Sequence, residues 1–169
     1  LDPSKVAAIN AARAPIHEDG LPELLSRTVG RNLRASGDLA AAVRDSDLTF
    51  IAVGTPAADG EIDLAFVERA AEEIGAAIAR KTSYHTVVVK STVVPGTTDT
   101  VVRKAIERAS GKVAGEGFGL GMNPEFLTEG QAIADFLRPD RIVVGGFDER
   151  SRDVIASVYE GFVGVPMIL

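Results

Sequence analysis

The sequence predicts an α/β fold in which a parallel sheet carries helices on both faces, and three observations support it. Apolar runs of strand length stand at Leu48–Val53 and Thr86–Lys90, rich in β-branched residues, as expected for strands buried on both faces. Between them Leu64, Val67, Ala71, Ile74 and Ile78 repeat at the spacing of one buried helical face. Strands that alternate with helices in this way pair in parallel through right-handed crossovers.

The earlier elements are shorter. Asp2-Pro3 reads as an N-cap followed by proline at the first helical position, and Val6, Ile9 and Ala12 form a weak apolar stripe that stops near Pro15. A chain that opens on the threshold of a helix is expected to continue upstream. Turn signals at Asp19-Gly20 and Leu21-Pro22 precede a helical pattern at Leu24, Leu25 and Val29. A short strand is expected over Asn32–Ser36, and Asp38 is placed as the cap of a small helix running to Val43. Leu48–Val53 then ends in Gly54-Thr55-Pro56. After a polar loop with Asp59-Gly60, Asp63 caps the long helix.

The second strand, Thr86–Lys90, ends in Ser91-Thr92-Val93-Val94-Pro95-Gly96. Asp99 starts a helix that turns Val102, Ile106 and Ala109 inward. The next apolar run ends in Asn123-Pro124-Glu125. Glu125 and Glu129 are four residues apart, so a helix opened by Pro124 puts both on one face. That arrangement is either a paired acid site or a helix start whose carboxylates favour the positive end of the dipole. Ile133, Phe136 and Leu137 suggest a short helix stopped by Pro139, and Arg141–Val144 is a third strand. Asp148 caps a last helix with Val154, Ile155, Val158 and Phe162 on one side, and Pro166–Leu169 begins one more strand.

Composition narrows the function. With 169 residues, 46% of them hydrophobic and 25% charged, the chain has the material for one domain with a substantial core. No apolar run approaches the roughly 20 residues that span a bilayer, and Leu1-Asp2-Pro3-Ser4-Lys5 lacks the order of a signal peptide. The cytoplasm is the expected compartment, with no membrane partner. A net charge of -6 without a basic stripe argues against nucleic acid as a partner. The absence of cysteine excludes disulfides, thiolate metal sites and a thiol nucleophile from this chain. His17 and His85 have no companion His or Cys in the pattern, so no metal site is expected.

Ligands of open parallel sheets gather at the carboxyl ends of the strands. Here three such ends carry small, hydroxylated or acidic residues: Gly54-Thr55-Pro56, Ser91-Thr92 and Asn123-Pro124-Glu125. Glycine lets a ligand approach the backbone, hydroxyls offer donors and acceptors, and a carboxylate acts as a base or holds a ribose. Turn formation alone also favours glycine, proline and threonine in loops. Lys90, at a strand end, is either catalytic or a solvated or phosphate-facing lysine.

Ile51-Ala52-Val53-Gly54-Thr55-Pro56, Lys90-Ser91-Thr92-Val93-Val94-Pro95-Gly96-Thr97, Asn123-Pro124-Glu125-Phe126-Leu127-Thr128-Glu129-Gly130 and Pro139-Asp140-Arg141-Ile142-Val143-Val144-Gly145 occur in this order. Together they resemble the N-terminal NAD-binding domain of the UDP-glucose/GDP-mannose dehydrogenase family. The resemblance implies a Rossmann-like fold and oxidation of the C6 alcohol of a nucleotide sugar to a carboxylate, with two NAD reduced per sugar. It makes Glu125 the general base of the hydrolytic step and Thr92 the residue that helps position the water. It also implies that Lys5, Val53, Gly54, Thr55, Pro56, Ser91 and Glu129 contact NAD, and that Glu125, Phe126, Leu127, Thr128 and Glu129 line the sugar side. Pro139–Gly145 favours UDP-glucose as substrate; Tyr84–Gly96 and Ser110–Phe118 suit GDP-mannose as well.

The family pattern also begins with a strand, a Gly-x-Gly-x-x-Gly turn, a helix and a second strand, a unit that this sequence lacks. Residues 1–169 are therefore expected to be a partial NAD-binding domain, without the connecting helix and the C-terminal nucleotide-sugar domain that supply the nucleophilic cysteine. The fragment is expected to be inactive alone, and its full-length parent to be a homodimer. The alternative from another class is a non-catalytic binding or assembly module on the same fold.

Overall fold

A computed structural model describes residues 2–58 and 60–169, so Asp59 of the predicted Asp59-Gly60 turn lies outside the described residues. The chain forms two compact units. The smaller comprises residues 1–38 and 126–139, the larger residues 39–125 and 140–169.

In the larger unit, β1 (Leu48–Ile51), β4 (Thr86–Val89) and β5 (Gly119–Met122) run parallel in that order, and β7 (Gly145–Gly146) closes the sheet antiparallel to β5. Two small sheets flank it. One is the hairpin of β2 (Ala57–Ala58) with β3 (Glu61–Ile62), and the other pairs β6 (Ile142–Val143) in parallel with β8 (Met167–Ile168). The expected third strand at Arg141–Val144 is thus split. Its first half pairs with the chain terminus, and the following glycines turn antiparallel onto β5. Gly121 explains the fit, because a Cβ there would meet the Gly145 carbonyl and the Ile155 side chain.

Both faces of the sheet are covered, as the sequence predicts. On one face Val87, Val89 and Leu120 pack with Val43 of α3 (Leu39–Arg44), with Val67, Ala71, Ile74 and Ile78 of α4 (Ala65–Ile78), and with Ala105 and Ile106 of α5 (Arg103–Ser110). On the other, Val88 packs with Ile142, Val144, Tyr159 and Ile155 of α7 (Glu149–Ser157). Asp148 is the N-cap of α7 and receives the Ser151 amide at 2.8 Å, as predicted; at α4 the N-cap is Leu64, and Asp63, one residue before it, receives the Ala65 amide at 2.8 Å. Two details differ. A turn of π-helix, Thr98–Val102, precedes α5, and Tyr159 rather than Val158 faces the core after α7, Val158 being 48% exposed.

The smaller unit holds α1 (Pro3–Asn10), α2 (Leu21–Thr28) and α6 (Ala132–Leu137). Asp2 caps α1 through the Ser4 amide at 2.8 Å. Ala12 falls beyond that helix with φ at 54°, so it does not extend the predicted stripe. Asn32–Ser36 is not a strand. A single bridge joins Val29 to Leu33, and Ala35 is tied instead to the Asn10 carboxamide by two bonds of 2.8 and 2.9 Å. Pro124 opens no helix either: residues 123–128 are irregular and α6 begins at Ala132. The helical face expected to align Glu125 with Glu129 therefore does not form.

Candidate functional site

The parallel register sets three strand ends side by side, with Ile51 opposite Val89 and Val89 opposite Met122. Just beyond this line the chain stitches itself together. The Lys90 and Ser91 amides both donate to the Ile51 carbonyl, at 2.9 and 3.0 Å, and the Asn123 amide donates to the Val89 carbonyl at 2.9 Å. Val53, Gly54, Thr55, Pro56, Ser91, Thr92 and Glu125 all stand on these ends, within the larger unit.

The hydroxyl groups are already oriented. Ser91 Oγ donates to the Val53 carbonyl at 2.7 Å, and Thr55 Oγ1 donates to the Thr92 carbonyl at 2.8 Å. Each hydroxyl has spent its proton within the chain and offers lone pairs outward, so toward a ligand it acts as an acceptor. Gly54 is exposed, has no positive φ, and a Cβ there would meet no atom of the described residues within 4 Å. Packing within the chain does not require glycine here, which leaves the backbone of residues 53–56 approachable by a ligand.

Glu125 and Thr92 are both exposed at neighbouring strand ends. Behind them lies a buried polar cluster. Asn123, only 2% exposed, accepts at Oδ1 from Lys90 Nζ at 2.9 Å and from the Tyr159 hydroxyl, and its Nδ2 donates to the Val143 carbonyl at 2.8 Å. Burial holds the Lys90 ammonium below the usual lysine range, with the Glu125 charge opposing that shift, and burial pushes the Tyr159 phenol up. Lys90 was one of two alternatives in the sequence pattern. Asn123 stood in the Asn123-Pro124-Glu125 strand end without a role of its own, and Tyr159 carried no signal, since both roles rest on partners distant in the chain.

The remaining predicted positions belong to the smaller unit. Lys5 is exposed on α1. Phe126, Leu127, Thr128 and Glu129 form the exposed approach to α6, where the Thr128 amide donates to Asp135 Oδ2 at 2.8 Å and Gly130 turns the chain with φ at 81°. That unit is anchored internally by Glu18, whose carboxylate receives the Ile133 amide at 3.4 Å.

A mainly parallel sheet covered on both faces, with glycine, hydroxyls and a carboxylate at its carboxyl ends, defines an open α/β domain of the class that holds ligands at that edge. Comparison with known proteins specifies it. The chain belongs to the UDP-glucose/GDP-mannose dehydrogenase family, whose NAD binding domain matches residues 1–163, and its cofactor is NAD. UDP-glucose 6-dehydrogenase AglM of Haloferax volcanii is 47% identical over 96% of this chain and 38% of its own length. GDP-mannose 6-dehydrogenase of Pseudomonas aeruginosa is 46% identical over 92% of this chain and 36% of its own. Among solved structures, a ternary complex of the latter organism's GDP-mannose dehydrogenase superposes with a TM-score of 0.94 at 44% identity, covering 99% of this chain and 39% of that one. A UDP-glucose dehydrogenase from Pyrobaculum islandicum gives 0.92 at 45%, covering 99% and 38%. The chain thus spans a little over a third of the length of these relatives.

Proposed function

We propose that this chain supplies part of the NAD site and the general base of a nucleotide-sugar 6-dehydrogenase, which oxidises the C6 alcohol of a nucleotide sugar to the carboxylate. UDP-glucose is the first substrate assigned, GDP-mannose the second. The observation that carries the reading is the placement of Thr92 and Glu125 just beyond the paired strand ends Val89 and Met122, with an unobstructed backbone at Gly54.

The residues fit one edge of the dinucleotide. The backbone of Val53, Gly54, Thr55 and Pro56 lies open to a flat group, and Ser91 and Thr55 present oriented acceptors. Lys5 and Glu129 are assigned to the same cofactor, and Phe126–Glu129 to the sugar side. NAD, when bound, takes up the hydride from the sugar carbon. This chain's own part is the hydrolytic step, in which the Glu125 carboxylate removes a proton from the attacking water and Thr92 holds that water in line. The nucleophile of the covalent step is assigned outside these residues, because they contain no cysteine. The homodimer implied by the family resemblance goes with this reading, as does the cytoplasmic location expected from the sequence.

The test is NADH formation by the full-length polypeptide with UDP-glucose and with GDP-mannose, run to completion. Two NADH per molecule of one sugar are expected. Glu125→Gln should lower kcat by about 10²–10⁴-fold, the usual worth of a positioned base, while a first-turnover burst of NADH survives. Turnover of Glu125→Gln within twofold of the parent, or one NADH per sugar, would overturn the reading.

A further inference from the structure

Asn123 stands two residues before Glu125 and is held from three directions. Lys90 reaches it from the end of β4, the Tyr159 hydroxyl from the turn after α7, and the Val143 carbonyl from β6. Two donors on one side and an acceptor on the other settle which end of the carboxamide is oxygen. Its backbone amide is spent on Val89, and Pro124 then fixes φ on the way to Glu125. The path from this clamp to the carboxylate is therefore short and stiff.

Lys90 is the part of the clamp that belongs to the other strand. It immediately precedes Ser91-Thr92, whose backbone is tied to Ile51 and to Thr55. Its ammonium lies 6.0 Å from the centroid of the Phe50 ring, with Nζ 2.9 Å from Asn123 Oδ1 and 3.4 Å from the Asn123 carbonyl. One half-buried side chain thus connects the turn that carries Thr92 with the strand end that carries Glu125. A lysine serving only to solvate the surface would extend outward, since an ammonium is costly to bury.

We propose that Lys90 is a positioning residue: by bonding Asn123 it fixes the spacing between Thr92 and Glu125, and so serves the hydrolytic half of the reaction and not cofactor binding. The inference rests on the assignment of Thr92 and Glu125 as the hydrolytic pair. Tyr159 shares the task through the same oxygen, and it rests on the sheet face opposite α4 and α5. The groups that face Lys90 are the Asn123 carboxamide, the Phe50 ring and the Glu125 charge.

The experiment uses the full-length polypeptide and its Lys90→Met, Tyr159→Phe and Glu125→Gln variants, mixed rapidly with NAD and the sugar nucleotide that the parent turns over. In Lys90→Met, the first-turnover burst of two NADH per site should persist and KM for NAD should stay within about threefold. The steady-state rate should fall by about 10–100-fold, the scale of a catalytic group misplaced by about 1 Å. Tyr159→Phe keeps the ring in place and removes one donor, so the same step should slow by a smaller factor of about 3–10. A steady-state rate unchanged in Lys90→Met, or a burst and steady state that fall together in both variants, would overturn the proposal. Glu125→Gln separates the two claims. If it lacks the burst-then-slow pattern, the hydrolytic assignment itself fails; if it shows the pattern and Lys90→Met does not, only the role of Lys90 fails.

Discussion

Replacing Gly54 by alanine should move binding and stability in opposite directions. The residue follows β1 at an exposed strand end, its φ is not positive, and an added Cβ would meet no described atom within 4 Å. Folding therefore loses nothing, and the reduced freedom of the unfolded chain should raise stability by up to about 0.4–1 kcal/mol. A dinucleotide lying against residues 53–56 meets the new methyl group directly. Forcing a methyl into a packed contact costs about 1–3 kcal/mol, which corresponds to a rise of about 5- to 150-fold in Kd. The assay is calorimetric titration of the full-length polypeptide with NAD, paired with urea unfolding of the same two samples. An unchanged Kd would refute the claim that the backbone at 54 touches the cofactor. A loss of more than about 1 kcal/mol in stability, the reverse of the expected glycine effect, would refute the geometric premise beneath it.

Two further outcomes test the scaffold. Gly75 lets α4 approach α5 so closely that a Cβ would lie 2.9 Å from Ala109 Cβ and 3.0 Å from the Ile106 backbone; overpacking costs about 1–3 kcal/mol and helix propensity offsets about 1 kcal/mol, so Gly75→Ala should destabilise by up to about 2 kcal/mol. Scanning calorimetry should register a fall of up to about 8 °C in Tm, and a higher Tm would show that the helix pair parts freely. His85 is fully buried, bonded to Thr49 at 2.9 Å and beside the Lys81 ammonium at 3.2 Å; burial first, then the Lys81 charge, hold its imidazole below 6.5, against the Ser46 carbonyl and Asp47. The unfolded chain then takes up this proton first, so the stability contributed by the neutral ring is complete above pH 6.5 and is lost as pH falls toward the folded value. Urea midpoints on either side of pH 6.5 should show that loss, and His85→Gln should flatten it; an equal slope in the variant would assign the effect to carboxylates.

Much of the sheet was legible because burial on both faces leaves an unmistakable apolar run, as at Thr86–Val89, where every residue is buried. The caps at Asp2 and Asp148, and the Asp63 bond just before α4, were equally readable, since a carboxylate that receives an amide two or three residues on is a local event. What escaped depends on distant partners. Gly145–Gly146 shows no strand propensity and becomes a strand only because Gly121 leaves room for its backbone. Pro124 satisfies the local rule for a helix start, but Asn123 before it is anchored to Val143 and Tyr159, and the residues that follow stay irregular. The candidate residues divide in the same way: those on strand ends follow from the sheet, whereas the Lys90–Asn123–Tyr159 clamp needed the folded structure to be seen.

The parallel pairing also sets an order of assembly. Leu48 finds its partner at Thr86, and Thr86 finds its own at Gly119, so each contact closes a long loop before any strand pairing repays the entropy. Such non-local topology folds slowly compared with hairpins or helical bundles. During synthesis, the ends of the first two parallel strands remain without their third neighbour until Met122 has emerged, and the Tyr159 bond to Asn123 forms later still. On the proposed reading of this edge, cofactor affinity is a late event in folding, and NAD binding by a nascent chain is expected only once the sheet is complete.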